Sequence, residues 1–418
     1  MSQATPEGRP KPQEFEKVLN SAAATVASFE EQQLALLQRV QRFLHAYPTT
    51  VPFVVLLLGL LLGVAVNPLR FTAASNFSTI LTQVTITGIL GIGQTLVILP
   101  AGIDLSIGVT MVISSVVMGR LAVYDGLPTT LAFPIGLATG VIVGWLNGSL
   151  VTKFNFAALL IAAIVTVALH FVLPFAPFIS APDLAALLIG GAVGALYFIF
   201  SGISGFGVVR LEMPPFIVTL GTLSIVGALN TFYSRSETIG MQDIEEKAYF
   251  LQTMGNQLEI GQARIIWGFF LMLAVAAVVW YVLNRTAYGR HVYATGDDPE
   301  AARLAGIDTD KILLSVYVLA GLVAAVAGWA LIGRVGAISP TAGENANLDS
   351  ITAVVIGGTS LFGGRGSIVG TLVGALIVGV FRSAVSLAGL DVLWQEFAIG
   401  VLIIVAVALD QWIRRVSK

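Results

Sequence analysis

Long apolar runs recur along most of the 418-residue chain and are separated by short polar segments. An α-helix needs about 20 apolar residues to cross about 30 Å of hydrocarbon, and most of the runs approach that length. The runs lie near 51–66, 77–99, 105–124, 129–152, 157–179, 184–203, 214–233, 264–284, 312–333, 350–363, 367–388 and 393–409. The pattern therefore predicts an all-α, polytopic membrane protein with about 12 hydrophobic segments, of which 350–363 is too short to span alone.

Composition supports this fold class and excludes several functions. The chain is 56% hydrophobic and only 11% charged, far from the average of soluble proteins. It has no cysteine, so disulfides, thiolate metal sites and a cysteine nucleophile are excluded. A net charge of -2 argues against nucleic acid as a partner. No lysine follows a glycine, so a phosphate-binding Gly-Lys loop is missing and any ATP hydrolysis must occur on another polypeptide.

The distribution of the 22 lysines and arginines predicts the orientation of the chain. Most of them lie in the polar tail 1–48, in the segment 285–311 and at the C-terminus, 413–418. Short loops with a positive excess face the cytoplasm. We therefore expect both termini and 285–311 to be cytoplasmic, with 49–412 forming the membrane domain. The tail lacks the features of a cleaved signal peptide.

Apolar residues at helical spacing in 36–44 alternate with Arg39, Arg42 and His45. This pattern predicts an amphipathic helix that lies on the anionic inner leaflet. The alternative is that the tail is a solvated arm, which either packs on a partner or makes no packing contact.

Two polar loops are long enough to have functions of their own. The loop 234–263 is acidic, faces the periplasm in the predicted orientation, and is a candidate docking site for a soluble protein; a merely solvated loop is the alternative. In 285–311, Asp297 or Asp298 can cap a helix that starts at Pro299 and ends at Gly306. An isolated helix of about two turns is marginal in water. Its presence suggests docking into a second protein, although packing on its own membrane domain stays open.

Polar residues inside the apolar runs are candidates for a solute pathway. Asp104 follows Pro100 and Gly102, which indicates a broken helix whose backbone can line a cavity. The alternative is that Asp104, with Ser106, only caps the next helix. The remaining candidates are Asn147, Thr219, Thr222 and Asn230, each of which can instead bond a neighbouring helix.

Glycines are concentrated between 357 and 375. Gly366, Gly370 and Gly374 repeat at four-residue spacing, which allows two helices to approach closely. Close packing is the favoured interpretation, and a reentrant or broken helix is the alternative.

Several segments together are similar to the ribose-type permeases of bacterial monosaccharide ABC importers, in order from about 50 to 415. The run Glu300-Ala301-Ala302, followed by Gly306, resembles the "EAA...G" coupling loop of ABC importer permeases. The other matching segments are "AGIDLSIG" at 101–108, "NGSLVTKF" at 147–154, "PPFIVTLGT" at 214–222, "YGRHVYATGDDPEAARLAGI" at 288–307 and "GGTSLFGGRGSIVGTLVGA" at 357–375.

The resemblance implies a transporter subunit rather than an enzyme. It implies about 10 family-type transmembrane helices plus a two-helix insert, in a homodimer in the bacterial inner membrane. Its partners would be a cytoplasmic ABC ATPase, which holds ATP and Mg, and a periplasmic sugar-binding protein; this chain would bind no cofactor or metal. The residues implied in ATPase coupling are Asp298, Glu300, Ala301, Ala302, Arg303, Leu304 and Gly306.

The segment 154–209 departs from the family pattern, because it adds two hydrophobic runs. Its flanks, Lys153 and Arg210, both fall on the predicted inner side, which favours a peripheral helical hairpin. Within it, His170 is a candidate functional group by its place near mid-span, and a structural hydrogen bond is the alternative.

Two other transporter functions stay open. An ion-coupled secondary transporter would need buried carboxylates, and within the runs few ionisable groups occur besides Asp104, His170 and Arg382. An ABC permease for a branched-chain amino acid shares the overall architecture. The motifs at 102–108 and 214–222 resemble the sugar branch more closely.

Overall fold

The computed structural model describes residues 50–152, 154–155, 210–211, 213–343 and 345–414. The chain forms two compact units, 1–47 with 412–418, and 48–411. The predicted amphipathic tail helix, the insert 156–209 and His170 lie outside the described residues.

The apolar runs of the first half form helices. Thr50–Val66 is α1, and the single turn Pro68–Phe71 is α2. The longer helices are α3, Ala74–Ile98; α4, Ile107–Val123; and α5, Thr129–Thr152. These bounds agree with the predicted runs to within a few residues, because lipid-length apolar sequence has no other way to satisfy its backbone hydrogen bonds.

A short strand pair joins the flanks of the insert. Phe154–Asn155 is β1 and Arg210–Leu211 is β2. They pair antiparallel, with Phe154 opposite Leu211 and Asn155 opposite Arg210. The chain therefore returns beside the point at which it left, as the interpretation of an insert that leaves and re-enters on one side requires.

The second half contains the remaining elements. Its first helix is α6, Pro215–Ser234, followed by α7, Met241–Ala248, a 3₁₀ helix, Tyr249–Gly255, and the hairpin of β3, Gln257–Ile260, and β4, Ala263–Ile266. Then come α8, Trp267–Arg285; α9, Ala287–Asp297; α10, Pro299–Leu304; and α11, Thr309–Val335. The last are α12, Ala346–Ile356; α13, Ile368–Leu387; and α14, Val392–Arg414.

Among the described residues, six helices are long and apolar enough to cross a membrane: α3, α5, α6, α8, α11 and α13. Large apolar side chains on the outer faces of α1, α6 and α8 are exposed, for example Leu61, Ile225 and Val278. Such continuous apolar surface indicates lipid contact. The all-α, polytopic membrane fold is confirmed.

The helix α3 lies at the centre of the described bundle. Every residue from Val84 to Ile98 is buried, and α3 packs against α8, α11, α12 and α13. The most extensive helix–helix interface in the described part of the chain is between α5 and α11, where a Cβ on Gly144 would overlap the carbonyl of Tyr317. Likewise, a Cβ on Gly370 would overlap the carbonyl of Gly357. The predicted close packing is therefore confirmed for Gly370 and for Gly374, whose Cβ would overlap the carbonyl of Ala353, whereas Gly366 lies before the start of α13.

Two local features differ from the sequence-based expectations. The run 350–363 is helical only to Ile356, and Gly358, Gly363 and Gly364 then adopt positive φ angles of 86°, 81° and 73°. The capped turn in 285–311 is also not isolated, because α9 directly precedes it. The domain limits 1–48, 49–412 and 413–418 stay predictions.

Candidate functional site

The first candidate region is the break between α3 and α4, at residues 99–106. Ala101 has a φ of 64°, and the amide of Gly102 donates to the carbonyl of Val97 at 3.0 Å. The chain then runs to Asp104 without helical structure. Non-helical backbone at membrane depth is tolerated only where protein or a water-filled cavity covers it, and here residues of α5, α6, α11 and α12 are among those that contact it.

Polar side chains converge on this break. Asp104 is 3% exposed, and its Oδ1 accepts from the backbone amide and the hydroxyl of Ser106 at 2.8 and 2.6 Å. Asn147 of α5 donates to the Ser106 hydroxyl at 2.8 Å, and Thr219 of α6 donates to the carbonyl of Ile103 at 3.0 Å. The side-chain amide of Gln94, suitably oriented, bonds both the carbonyl and the amide of Asp104, at 3.1 and 3.2 Å.

The predicted pathway residues therefore form two groups. Asp104, Asn147 and Thr219 meet at the break, and Thr222 is buried one turn beyond Thr219. Asn230 lies apart from them and donates to the carbonyl of Pro340 at 2.9 Å.

Asp104 also orders the turn before α4, since its carboxylate accepts from the amide of Ser106, the residue that precedes the helix. The structural alternative and the pathway interpretation of Asp104 are thus compatible.

Sequence reasoning missed two members of this cluster. Gln94 is the one side-chain amide in the mainly apolar stretch 84–98 of α3, and that isolation was the available signal. Asn347, at the start of α12, donates to the carbonyl of Leu105 at 3.2 Å. Nothing in its local sequence indicated a partner so distant along the chain.

Buried polar atoms at the break and at Asn230 have unused hydrogen-bonding capacity. In the described part of the chain, the side-chain carbonyl oxygens of Asn147 and Asn230 and the hydroxyl of Tyr317 are buried and bond no protein group. Buried polar atoms are normally satisfied. Neutral donors and acceptors of this kind can exchange hydrogen bonds with a neutral, hydroxyl-rich solute.

The second candidate region is the capped turn 298–306. Asp298, and not Asp297, is the cap: its Oδ1 accepts from the amides of Glu300 and Ala301, both at 3.0 Å. Pro299 is the first helical residue, and Gly306 ends the turn with a φ of 85°. A left-handed residue at this position favours glycine.

The faces of this turn differ in what they contact. Ala302 is buried, whereas Leu304 is 91% exposed and Glu300 and Ala301 also face outward. Arg303 bonds the hydroxyl of Thr309 at 2.7 Å and pairs with Asp310 at 3.4 Å. The turn is therefore held rigidly at the start of α11 while it presents an apolar side chain outward.

The helix α9 connects the two regions. A Cβ on Gly296 would overlap the carbonyl of Leu99, and the same carbonyl accepts from the amide of Gly364 at 2.9 Å. The hydroxyl of Tyr293 donates to the carbonyl of Gly366 at 2.9 Å, and burial raises the pKa of this phenol. The capped turn and the break are thus in contact through one short helix.

A partly buried cluster of one arginine and two carboxylates joins three helices, α12, α13 and α14. Arg382 of α13 contacts Asp349 of α12 at 2.8 Å and Glu396 of α14 at 3.6 Å. The interpretation that the runs hold few ionisable groups overlooked Glu396, whereas Asp349 lies just before the run 350–363. Arg382 pairs with both carboxylates and Arg334 places a second positive charge near Asp349, so neither carboxylate is a free ion-coupling group.

Comparison with known proteins identifies the family. The family model described as "Branched-chain amino acid transport system / permease component" matches residues 76–178 and 168–407. The chain belongs to this permease family. It is accordingly a multi-pass membrane protein and a transporter subunit, not an enzyme.

Among the relatives, the fructose import permease protein FrcC of Rhizobium meliloti is 46% identical over 97% of both chains. The ribose import permease protein RbsC of Escherichia coli (strain K12) is 31% identical over 82% of this chain and 87% of its own. The xylose transport system permease protein XylH of the same strain is 32% identical over 83% of this chain and 87% of its own. No solved structure matches this permease.

Proposed function

We propose that this permease imports a monosaccharide as the membrane subunit of an ABC importer. The observation that carries the proposal is its similarity, along nearly the whole chain, to a permease named for fructose import. The neutral amides and hydroxyls around the α3–α4 break support it, because a sugar needs hydrogen-bonding groups and no fixed countercharge. The family description names branched-chain amino acids, but the similar relatives named above are permeases for sugars.

The transport cycle alternates access to a route near the break. Asp104, Asn147, Thr219, Thr222 and Asn230 contribute the polar surface of that route. Each of these side chains can make only one or two hydrogen bonds to a sugar, so the sugar is bound weakly and released rapidly. Selectivity then resides mainly in a periplasmic sugar-binding protein.

ATP and Mg are bound by a partner ATPase in the cytoplasm, and the turn 298–306 docks into it. The rigid cap at Asp298 and the exposed Leu304 suit a helix that seats in a groove. Closure of the ATPase then displaces α9, which contacts the carbonyl of Leu99 at the break. The ATPase can shift the permease from one arrangement to the other only if it binds one of the two more tightly.

The assembly is a permease homodimer in lipid, in the bacterial inner membrane, with cytoplasmic N- and C-termini. The binding protein docks on the opposite side from 298–306. There α7 exposes the carboxylates of Asp243, Glu245 and Glu246. An acidic face of this kind complements a basic rim on the docking protein.

The proposal is tested by sugar uptake into proteoliposomes that hold this chain with its ATPase and binding protein. Radiolabelled fructose, ribose and xylose are supplied in turn, with and without enclosed ATP. We expect uptake of at least one sugar that requires ATP and both partners. Uptake by this chain alone, driven by an ion gradient, would instead identify a secondary transporter.

The coupling role predicts that Leu304→Asp lowers the rate of ATP-driven uptake by about tenfold or more, because it places a charge in the apolar contact with the ATPase. The substitution breaks no contact inside the permease, since Leu304 is 91% exposed. Leu69→Asp is the matched control, because Leu69 is 87% exposed in the short helix α2. Equal uptake by the two variants would remove the coupling assignment.

A further inference from the structure

A cavity of about 320 Å³ opens between α4, α6 and the segment that leads into α12. Ligand pockets for small molecules begin at about this size. Its walls include Gly108 of α4, Gly227 and Asn230 of α6, Thr341 of the segment and Asn347 at the start of α12. None of the lining residues carries a charge.

One wall residue has an unused acceptor. Asn230 is 3% exposed, and its Nδ2 donates to the carbonyl of Pro340 at 2.9 Å, which fixes the amide. Its Oδ1 is buried and bonds no group in the described part of the chain. Leaving a buried carbonyl oxygen unpaired is costly, and a ligand hydroxyl placed in the cavity would satisfy it.

The same cavity is connected to the α3–α4 break. Asn347 lines the cavity and donates through Nδ2 to the carbonyl of Leu105 at 3.2 Å. Leu105 follows Asp104, around which the break is ordered. Asn347 thus connects the cavity directly to the break, whose first residue, Leu99, contacts α9.

Glycine creates the space. A Cβ on Gly227 would meet only the Cγ2 of Val109, at 4.0 Å, so a methyl group fits there without displacing the backbone. That methyl group would project from the cavity wall and reduce the room for a solute. The cavity is therefore open at Gly227 because this residue has no side chain, and the glycine is not needed for close contact between helices.

We propose that this cavity is a binding site for the transported monosaccharide, in which Asn230 Oδ1 accepts a hydrogen bond from a sugar hydroxyl. The inference rests on the proposed function and extends it by naming where the sugar is held and which atom contacts it. Thr231 and Thr341 line the cavity beside Asn230 and supply further hydroxyls. A site with one fixed amide and adaptable hydroxyls distinguishes sugars by ring shape rather than by charge.

The first test compares two alanine substitutions in α6. Gly227→Ala narrows the cavity, whereas at Gly221, in the same helix, a Cβ would meet nothing within 4 Å. Fructose, ribose and xylose are supplied in turn to the reconstituted importer. We expect Gly227→Ala to raise the KM for the transported sugar by about tenfold, the lower range for one methyl group in a binding pocket. Gly221→Ala is expected to leave the KM unchanged.

The second test uses the absence of cysteine from the chain. Thr231→Cys introduces a single thiol at the cavity, and Ser224→Cys introduces one elsewhere on α6. The two hydroxyls are matched, since each donates to the carbonyl four residues earlier, at 3.1 and 3.3 Å. We expect the transported sugar to slow alkylation of the thiol at 231 and not of the thiol at 224.

The outcomes separate the two proposals. If the unsubstituted importer takes up none of the sugars, the proposed function fails. If it takes up a sugar, but Gly227→Ala behaves as Gly221→Ala does and the sugar protects neither thiol, the cavity is not a sugar site. A raised KM with selective protection at position 231 supports both proposals.

Discussion

Asp104 shows how a single residue can order the backbone and contribute to a site at once. Its Oδ1 accepts two hydrogen bonds from Ser106, and the Ser106 hydroxyl in turn accepts from Asn147. The carboxylate therefore fixes the turn and, through Ser106, holds α5 against it.

This arrangement predicts different effects for two substitutions. Asp104→Asn retains an oxygen that accepts from the Ser106 amide, so the permease should fold normally. Asp104→Ala leaves that buried amide unpaired, which should lower the free energy of unfolding by about 1–3 kcal/mol. Thermal unfolding of the purified variants in detergent measures the difference. Equal midpoints for the alanine variant and the unsubstituted chain would contradict this role of the carboxylate.

At the residue scale, local chemistry was predictable from sequence and distant pairing was not. Pro299 at a helix start and Gly306 in a left-handed conformation follow from rules that act within a few residues. By contrast, Asn230 bonds Pro340, and Asn347 bonds Leu105. Those pairs depend on how the helices pack, so the sequence indicated polar residues within spans but not their partners.

At the scale of helices, glycine determines how close α5 and α11 lie. A Cβ on Gly144 would overlap the carbonyl of Tyr317, which is fully buried. The backbones can be in contact only because the side chain is missing, as in other close membrane helix pairs.

Gly144→Ala should therefore destabilise the permease by about 1–3 kcal/mol, because the two helices must separate or strain. Gly221→Ala is the control, since it adds a methyl group to open space in another helix. It should be neutral or slightly stabilising, because alanine favours helix more than glycine does. Detergent unfolding curves for the two variants test the contrast. A stable Gly144→Ala variant would mean that this interface is not tightly packed.

Helix length explains which elements could be anticipated. The long apolar helices were predictable, because a run of membrane length permits little else. The helix α9 was missed: only four of its residues are buried, and its partners come from elsewhere, such as Ser315 for Tyr288 at 2.8 Å. The early end of α12 at Ile356 likewise depends on glycines that adopt positive φ after it.

Over the whole molecule, the break 99–106 connects the parts that transport must coordinate. Its first residue, Leu99, contacts Gly296 of α9 on the side of the capped turn. Further along, Ile103 accepts from Thr219 of α6, and Leu105 accepts from Asn347 at the cavity. The seven residues from Leu99 to Leu105 therefore connect α9 with both the polar cluster and the proposed sugar-binding cavity.

The pairing of β1 with β2 predicts that the insert is dispensable for transport. Asn155 lies opposite Arg210, so the chain on either side of 156–209 is already held in a two-stranded ladder. Replacing 156–209 by Asn-Gly should close this ladder as a hairpin, because a two-residue Asn-Gly turn matches the twist of paired strands. The connection between α5 and α6 would keep its geometry.

We expect the shortened permease to retain ATP-driven sugar uptake within about twofold of the full chain, since the flanking ladder keeps the connection between α5 and α6. The control joins Asn155 to Leu211 through the same turn and also removes Arg210, which shifts the ladder by one residue. This variant should be recovered in lower yield and transport less. Loss of uptake by a well-folded variant that lacks only 156–209 would instead place the insert in the transport mechanism, because the flanking ladder would then be intact.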